Sequence, residues 1–398
     1  MTEGFLLSRT LLRLRSGKPA IETTSNGDLS ALAWADTSAG RVLWLGIDEA
    51  LGVGGDGDAA RKAPRRNAIL TLRADRSDRF VLSDVTLLRD VLPQFPFIVE
   101  DDDEGEVDIE GLDLVGDHLW LVGSHSSRRR TPRRRDRTGE RLSQVSVDDN
   151  RFLLARLNVH DGVIATSPPG DPSPSSAVLL PKKDGNPNPL IDALADDDHL
   201  KPFLRTSKPL PGKDNGFDIE GLAVRKDRVY LGLRGPVLRG WATILALEPK
   251  ESGTPGRLKL TSVGEKGPLV AKHFLYLGGM GIRDLAFDGD DLLILAGPTM
   301  DMDGIAAVWR LKRPDQLADL SLTGKLSERE TFDADRLQRL FDLPTVVGAD
   351  RPEGLTRYEQ WGEAALMIVH DRAAAARHPM DNEGNPKPHA VFADIFRL

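Results

Sequence analysis

The tripeptide Glu-Gly-Leu occurs three times in this chain, at Glu110-Gly111-Leu112, Glu220-Gly221-Leu222 and Glu353-Gly354-Leu355, each time opening a strand-like run. The first two copies sit in a longer word, Asp108-Ile109-Glu110-Gly111-Leu112 and Asp218-Ile219-Glu220-Gly221-Leu222. Two weaker copies stand at Asp28-Leu29-Ser30-Ala31-Leu32 and Gly281-Ile282-Arg283-Asp284-Leu285. Five related segments make an internal repeat, and a repeat constrains the fold more tightly than composition does. Each copy continues alike, with a short strand, a Gly/Asp turn and a second strand of large apolar residues, as in Gly116-Asp117 before Leu119-Trp120-Leu121-Val122. Third strands follow, among them Ala68-Ile69-Leu70-Thr71-Leu72 and Thr243-Ile244-Leu245-Ala246-Leu247. Short apolar runs bounded by turn residues read as buried antiparallel strands.

Four-stranded units repeated around an axis are the blades of a β-propeller. The expectation is an all-β protein, one propeller domain spanning 1–398, with five four-stranded blades. The count becomes six if 85–97 or 177–204 hides a divergent copy. A two-sheet sandwich would give no reason for each unit to open on the same word. The last copy reaches the C-terminus after three strands, and an unpaired edge invites association. The strand-like Thr10-Leu11-Leu12-Arg13-Leu14-Arg15 precedes the first copy and is predicted to close the ring beside Val391–Phe396.

The long connections, near 50–66, 126–150, 168–217 and 372–388, all fall on the face where the Glu-Gly-Leu words begin. Long loops on one face of a rigid scaffold usually carry function. Within 168–217, Asn188-Pro189 supplies a cap and a first-turn proline, followed by Leu190, Ile191, Leu194 and Leu200, which predicts a short helix there.

Symmetry brings Glu110, Glu220 and Glu353 to equivalent positions around the central channel, with Ser30 and Arg283 at the other two. Asp48-Glu49, Ser124-His125, Arg234 and His370-Asp371 stand at the second-strand ends. Three facing carboxylates repel unless a cation, a proton or an arginine intervenes. Oxygen donors without sulfur favour calcium or magnesium, with Glu110, Glu220, Glu353 and Asp48 as ligands. In an enzyme of this kind Arg234 and Arg283 would hold an anion, and His125, His370 and Asp371 would supply acid–base groups. The reaction would be metal-assisted phosphoester hydrolysis. In a binding protein the same mouth would hold a small anionic ligand or a protein partner. In a purely structural role each carboxylate would bond the backbone of the neighbouring blade.

The totals exclude several classes. The chain has no cysteine among its 398 residues, so disulfides, thiolate metal sites and thiol nucleophiles are absent. A net charge of −8 gives no reason to expect nucleic acid. The one exception is the loop Arg128–Arg137, with seven arginines whose forks suit phosphate. No apolar run is long enough for a bilayer. Phe5-Leu6-Leu7 is followed by arginines, the reverse of a secretory signal, so a cytoplasmic location is expected. No Walker-type loop, His-Glu-x-x-His or Gly-x-Ser-x-Gly occurs.

From Asp28 to the C-terminus the chain resembles a bacterial family called domain of unknown function 3616. The words that carry the resemblance are Asp108-Ile109-Glu110-Gly111-Leu112 running to Gly123-Ser124-His125-Ser126, Leu233-Arg234-Gly235-Pro236, Gly281-Ile282-Arg283-Asp284-Leu285 and Arg351-Pro352-Glu353-Gly354-Leu355. That family implies no established activity. More distantly, the Asp-x-Glu-Gly-Leu start resembles the phytase-like esterase propellers, which would imply phosphoester chemistry with calcium.

Overall fold

The computed structural model describes residues 5–15, 28–52, 63–76, 78–134, 138–166, 176–180, 188–204, 209–325, 331–344 and 350–398. Most of the expected insertion at 50–66, Arg135 and Arg137, and parts of 168–217 lie outside these residues. The chain is all-β, with a few short helices. Among the described residues no helix is long and apolar enough to cross a membrane.

The strands assemble into successive four-stranded antiparallel units. The first contains Ala31–Thr37, Gly40–Gly46, Ala68–Arg76 and Arg79–Leu87, each paired with the next. The second contains Ile109–Val115, His118–Gly123, Leu154–His160 and Ser176–Val178. Asp218–Arg225, Arg228–Gly235, Trp241–Glu251 and Val270–Tyr276 form the third. Gly281–Asp288, Asp291–Gly297, Ala307–Leu311 and Leu337–Asp342 form the fourth. Arg351–Gln360, Glu363–Asp371 and Ala390–Arg397 begin the last, and its outer strand is the N-terminal Leu6–Arg13. That strand runs antiparallel to Ala390–Arg397, with Leu12 opposite Val391. On its other edge it pairs in parallel with the first unit, with Leu12 opposite Phe80. Closure is further fixed by the fully buried Asp394, which pairs with Arg9 at 3.0 Å and with Arg377. Neither 85–97, which holds the short helix Leu88–Val91, nor the described part of 177–204 contains a further four-stranded unit. The helix expected after Asn188 is present as Pro189–Ala193, and the Asn188 side chain accepts the amides of Leu190 and Ile191.

The first strands of the units line the centre, each packed against the first strand of the next, and the last against the first. The core divides accordingly. Trp44 and Ile109 belong to one cluster between the first two units, and Val122 and Leu222 to the next. Ala223 meets Leu285, Leu293 meets Leu355, and Leu32 meets Met367 in the remaining clusters. Each sheet therefore buries both faces, which is why its second strands are continuous apolar runs rather than alternating ones.

The repeated word has a packing cause. A Cβ placed on Gly111 would lie 2.4 Å from the Leu222 Cβ, and one on Gly221 would lie 2.9 Å from Leu285 Cγ. On Gly354 it would lie 2.8 Å from Leu32 Cδ2, which brings the last unit round to the first. The glycine of one word thus receives the leucine of the next. In the fourth unit Asp284 takes the glycine position. Its carboxylate accepts the amides of Leu285 at 2.8 Å and Leu355 at 2.6 Å. Asp113 similarly accepts the Val224 amide at 2.6 Å across the second and third units.

Candidate functional site

In four of the five words the ladder between first and second strands slips at one residue. The slips fall between Ile109 and Gly111, Ile219 and Gly221, Ile282 and Asp284, and Pro352 and Gly354. The skipped residues are Glu110, Glu220, Arg283 and Glu353, each the extra residue of a β-bulge. A bulge re-aims its side chain, and bulges recur beside active sites. Here they turn four charged side chains out of the sheet pattern at one end of the central strands. In the first unit Ser30 stands at this position, and its hydroxyl donates to the Ile109 carbonyl at 2.5 Å.

The four charges are buried and unequally compensated. Arg283 lies 2.9 Å from Glu220 and also pairs with Glu353, tying the third, fourth and last units together. Arg234 pairs with Glu220 at 2.7 Å, lies 3.9 Å from Asp218, and donates through Nε to the Thr299 carbonyl at 2.8 Å. Burial and the neighbouring Arg234 outweigh Glu220 and Glu110 and lower the Arg283 pKa, but a guanidinium starts so high that it remains a cation. Arg151 holds Asp108 at 2.7 Å and Glu106 at 3.2 Å. Among the described residues Glu110 has no ion-pair partner, although it is only 8% exposed.

A cavity of about 290 Å³ opens here, lined by Asp48, Asp108, Glu110, Asp218 and Asp371, with Arg151, Arg234 and Lys213 among them. Burial first, then Asp108, Glu220, Asp218 and Asp48, pushes the Glu110 carboxyl well above the usual range. Burial, Asp108 and Asp371 push Asp48 up to about 8 against the pull of Lys213. Asp218 rises to about 7 through burial and Glu220, with Arg234 pulling the other way. Carboxyls of this kind hold protons near neutral pH and can donate hydrogen bonds, which an ionised carboxylate cannot. A more apolar cavity of about 320 Å³ lies against Arg234 and Arg283, walled by Pro298, Met300, Met302 and Ile305; Asp48, Asp108, Glu110 and Asp218 do not line it.

The expected site residues divide into three groups. Glu110, Asp48 and Asp371 share the acidic cavity. Glu220, Glu353, Arg234 and Arg283 form one ion-pair chain, of which Arg234 also lines that cavity, so both arginines expected to hold an anion are already engaged by carboxylates. The histidines lie elsewhere. His125 Nδ1 donates to the Gly123 carbonyl at 2.8 Å and Nε2 accepts from Asn188 at 2.6 Å, so both nitrogens are used. Burial lowers its pKa to about 4, and its ring lines an apolar pocket with Phe152, Phe203 and Phe217. His370 is buried in the last unit, where burial, Arg377 and Arg9 hold it well below its usual value. The donor set does not suit a cation at the three glutamates, because Arg283 neutralises two of them. Among the described residues no group of three or more His, Asp or Glu side chains is spaced to hold a metal ion. The acidic run 100–104 is a hairpin in which Glu104 accepts the Asn67 amide at 3.0 Å and Asp103 the Arg65 amide at 2.8 Å. Sequence reasoning passed over Asp108, Asp218 and Arg151 as site residues. The two aspartates were already visible in the repeated word, two positions before each glutamate.

The family model described as "Protein of unknown function (DUF3616)" matches residues 28–385. No curated protein matches the chain. Among solved structures, an exo-β-1,3-galactanase from Clostridium thermocellum is 9% identical with a TM-score of 0.41, over 96% of this chain and 61% of that one. A GH32 β-fructofuranosidase from Bombyx mori is 12% identical with a TM-score of 0.34, over 96% of this chain and 64% of that one. A glucose dehydrogenase is 13% identical with a TM-score of 0.35, over 94% and 83%. The chain thus spans less than two thirds of the length of the first two.

Proposed function

The chain belongs to the DUF3616 family, and for this member we propose a small-molecule site at the mouth of a five-bladed propeller, with Glu110 as its proton donor. The observation that supports this most is the position of Glu110: bulged out of its strand, buried, without an ion-pair partner among the described residues, and beside Asp108, Asp218 and Asp48. An acid that holds its proton more tightly than an ordinary glutamate, in a water-accessible cavity, is what general acid catalysis requires. Asp48 and Asp218, at about 8 and 7, exchange protons in the same range and can return one to Glu110. Asp108, oriented by Arg151 at 2.7 Å, accepts a hydrogen bond from the ligand or from a water. The ligand is oxygen-rich, since the cavity offers it carboxyls and guanidinium groups rather than apolar walls. Hydrolysis of a phosphoester or a similar acid-labile bond is the reaction class that uses such a donor, and no step is routed through a metal.

Glu220 and Glu353 are assigned a structural role, because the Arg283 clamp joins three units through them. The test is turnover of p-nitrophenyl phosphate, bis(p-nitrophenyl) phosphate and p-nitrophenyl glycosides across pH, for the wild type and Glu110→Gln. A rate that falls as pH rises and is lost in a folded Glu110→Gln variant supports the assignment. A rate that survives the substitution removes Glu110 from the chemistry.

A further inference from the structure

Beside the acidic mouth lies a cavity of opposite character. It measures about 390 Å³ and is lined by Arg128, Arg129, Arg130, Thr131, Arg133 and Arg141. Among the described residues no carboxylate lines it. The frame is a hairpin in which Ser127–Arg129 pairs with Val145–Val147, extended by the Arg130 amide donating to the Gln144 carbonyl at 3.0 Å. Some of the arginines build that frame. Arg129 pairs with Asp214 at 2.6 Å, Arg141 Nε donates to the Thr131 carbonyl at 2.8 Å, and Arg128 pairs with Glu106. Arg130 and Arg133 are exposed, and among the described residues no carboxylate pairs with either. Arg130 and Arg133 bring charge to this cavity that no carboxylate among the described residues compensates, and an anion with several charged oxygens would compensate it.

We propose that this arginine cradle binds a small, multiply charged phosphate compound. Guanidinium forks match phosphate oxygens two at a time, which favours phosphate over a point anion. Among the described residues the cradle has no aromatic side chain on which a base could stack. A nucleic-acid strand leaving it would run over the acidic mouth of a chain with net charge −8. Both features favour a small anion over a polymer. Arg128, Arg129 and Thr131 line the acidic cavity as well, so the two cavities adjoin. A phosphate seated in the cradle can therefore present the rest of its molecule to the mouth. The cradle assignment does not depend on Glu110 acting as an acid, and its test uses binding alone.

The probe is tripolyphosphate, titrated by calorimetry into the full chain at low ionic strength. The wild type should bind it saturably, and the double variant Arg130→Ala/Arg133→Ala should bind about tenfold more weakly or worse, having lost two charge-assisted contacts. Its melting temperature should match the wild type, because exposed arginines contribute little to stability. Arg130→Lys/Arg133→Lys, which keeps the charge without the fork, should recover only part of the affinity. Absence of saturable binding by the wild type, or equal affinity in the alanine variant, would overturn the proposal. Tighter binding of an oligothymidylate than of tripolyphosphate would overturn it too, in favour of a nucleic-acid surface.

Discussion

Replacing Arg283 with methionine should weaken the whole ring, although the residue sits in one unit. Arg283 is 5% exposed and lies 2.9 Å from Glu220, and it also pairs with Glu353. Methionine keeps most of the volume and removes the charge, leaving the buried Glu353 without a cation and Glu220 with Arg234 alone. Breaking a buried ion pair by removing one partner costs about 3–5 kcal/mol. An unfolding entropy of about 2.1 cal/mol/K per residue, over 398 residues, makes about 0.8 kcal/mol per kelvin, so the melting temperature should fall by roughly 4–6 °C. The stranded Glu353 carboxylate then gains from protonation, so the loss should be larger at alkaline than at mildly acidic pH. Adding Glu353→Gln to Arg283→Met should restore much of the loss, because Glu353 is the carboxylate left without a cation, whereas Glu220 keeps Arg234 at 2.7 Å. Scanning calorimetry of the three proteins at two pH values measures all of this. An Arg283→Met variant melting within about 1 °C of the wild type would refute the idea that this ion-pair chain binds the units together.

Two further outcomes follow from the same contacts. Gly111→Ala places a methyl 2.4 Å from the Leu222 Cβ, which should cost about 1–3 kcal/mol by overpacking, whereas Gly116→Ala, in an open turn, should cost only the strain of its positive φ; paired urea titrations compare them. The pH dependence of stability should fall on the alkaline side. Asp48, Asp113 and Asp218 have folded values of about 8, 7 and 7 against an ordinary 3.8, so the folded chain binds more protons than the unfolded one. Their stabilising contribution is complete below the unfolded value, is lost progressively as pH rises above it, and is gone once pH has passed the folded values of about 7 to 8. His125 and His273, lowered to about 4, act in the opposite sense: their contribution is present above 6.5 and is lost toward 4. Melting temperatures should therefore decline from about pH 6.5 to 8.5, where these carboxyls titrate and the histidines no longer do. A rise over that interval would contradict the raised values.

The ring was legible in the sequence because its packing rule is local. In the three Glu-Gly-Leu words the glycine is forced by the leucine of the next word, so the repeat is the trace of the interfaces between units. The closing strand was legible because the last unit lacked an edge. What the site residues pair with was not legible, since Arg283 reaches Glu220 and Glu353 through space, 63 and 70 positions away in the chain. His370 could have been set aside from the sequence. Neighbours on a strand point to opposite faces, so a mouth-facing Asp371 turns His370 into the sheet. His125 could not, because the group that occupies it, Asn188, arrives from a distant insertion. The staples Asp113 and Asp284 left a faint signal, as aspartates inside otherwise apolar first strands.

The protonation state of Glu110 is the most direct test of the proposed site. Carbon-13 carboxyl NMR of the chain labelled at glutamate, with the resonance assigned by its disappearance in Glu110→Gln, reads that state as pH is varied. Burial and four neighbouring acids hold its value well above the usual range, so the resonance should stay at the protonated position through the pH interval in which ordinary glutamates ionise. A resonance that ionises together with the ordinary glutamates would contradict the raised value, and the mouth would lose its proton donor.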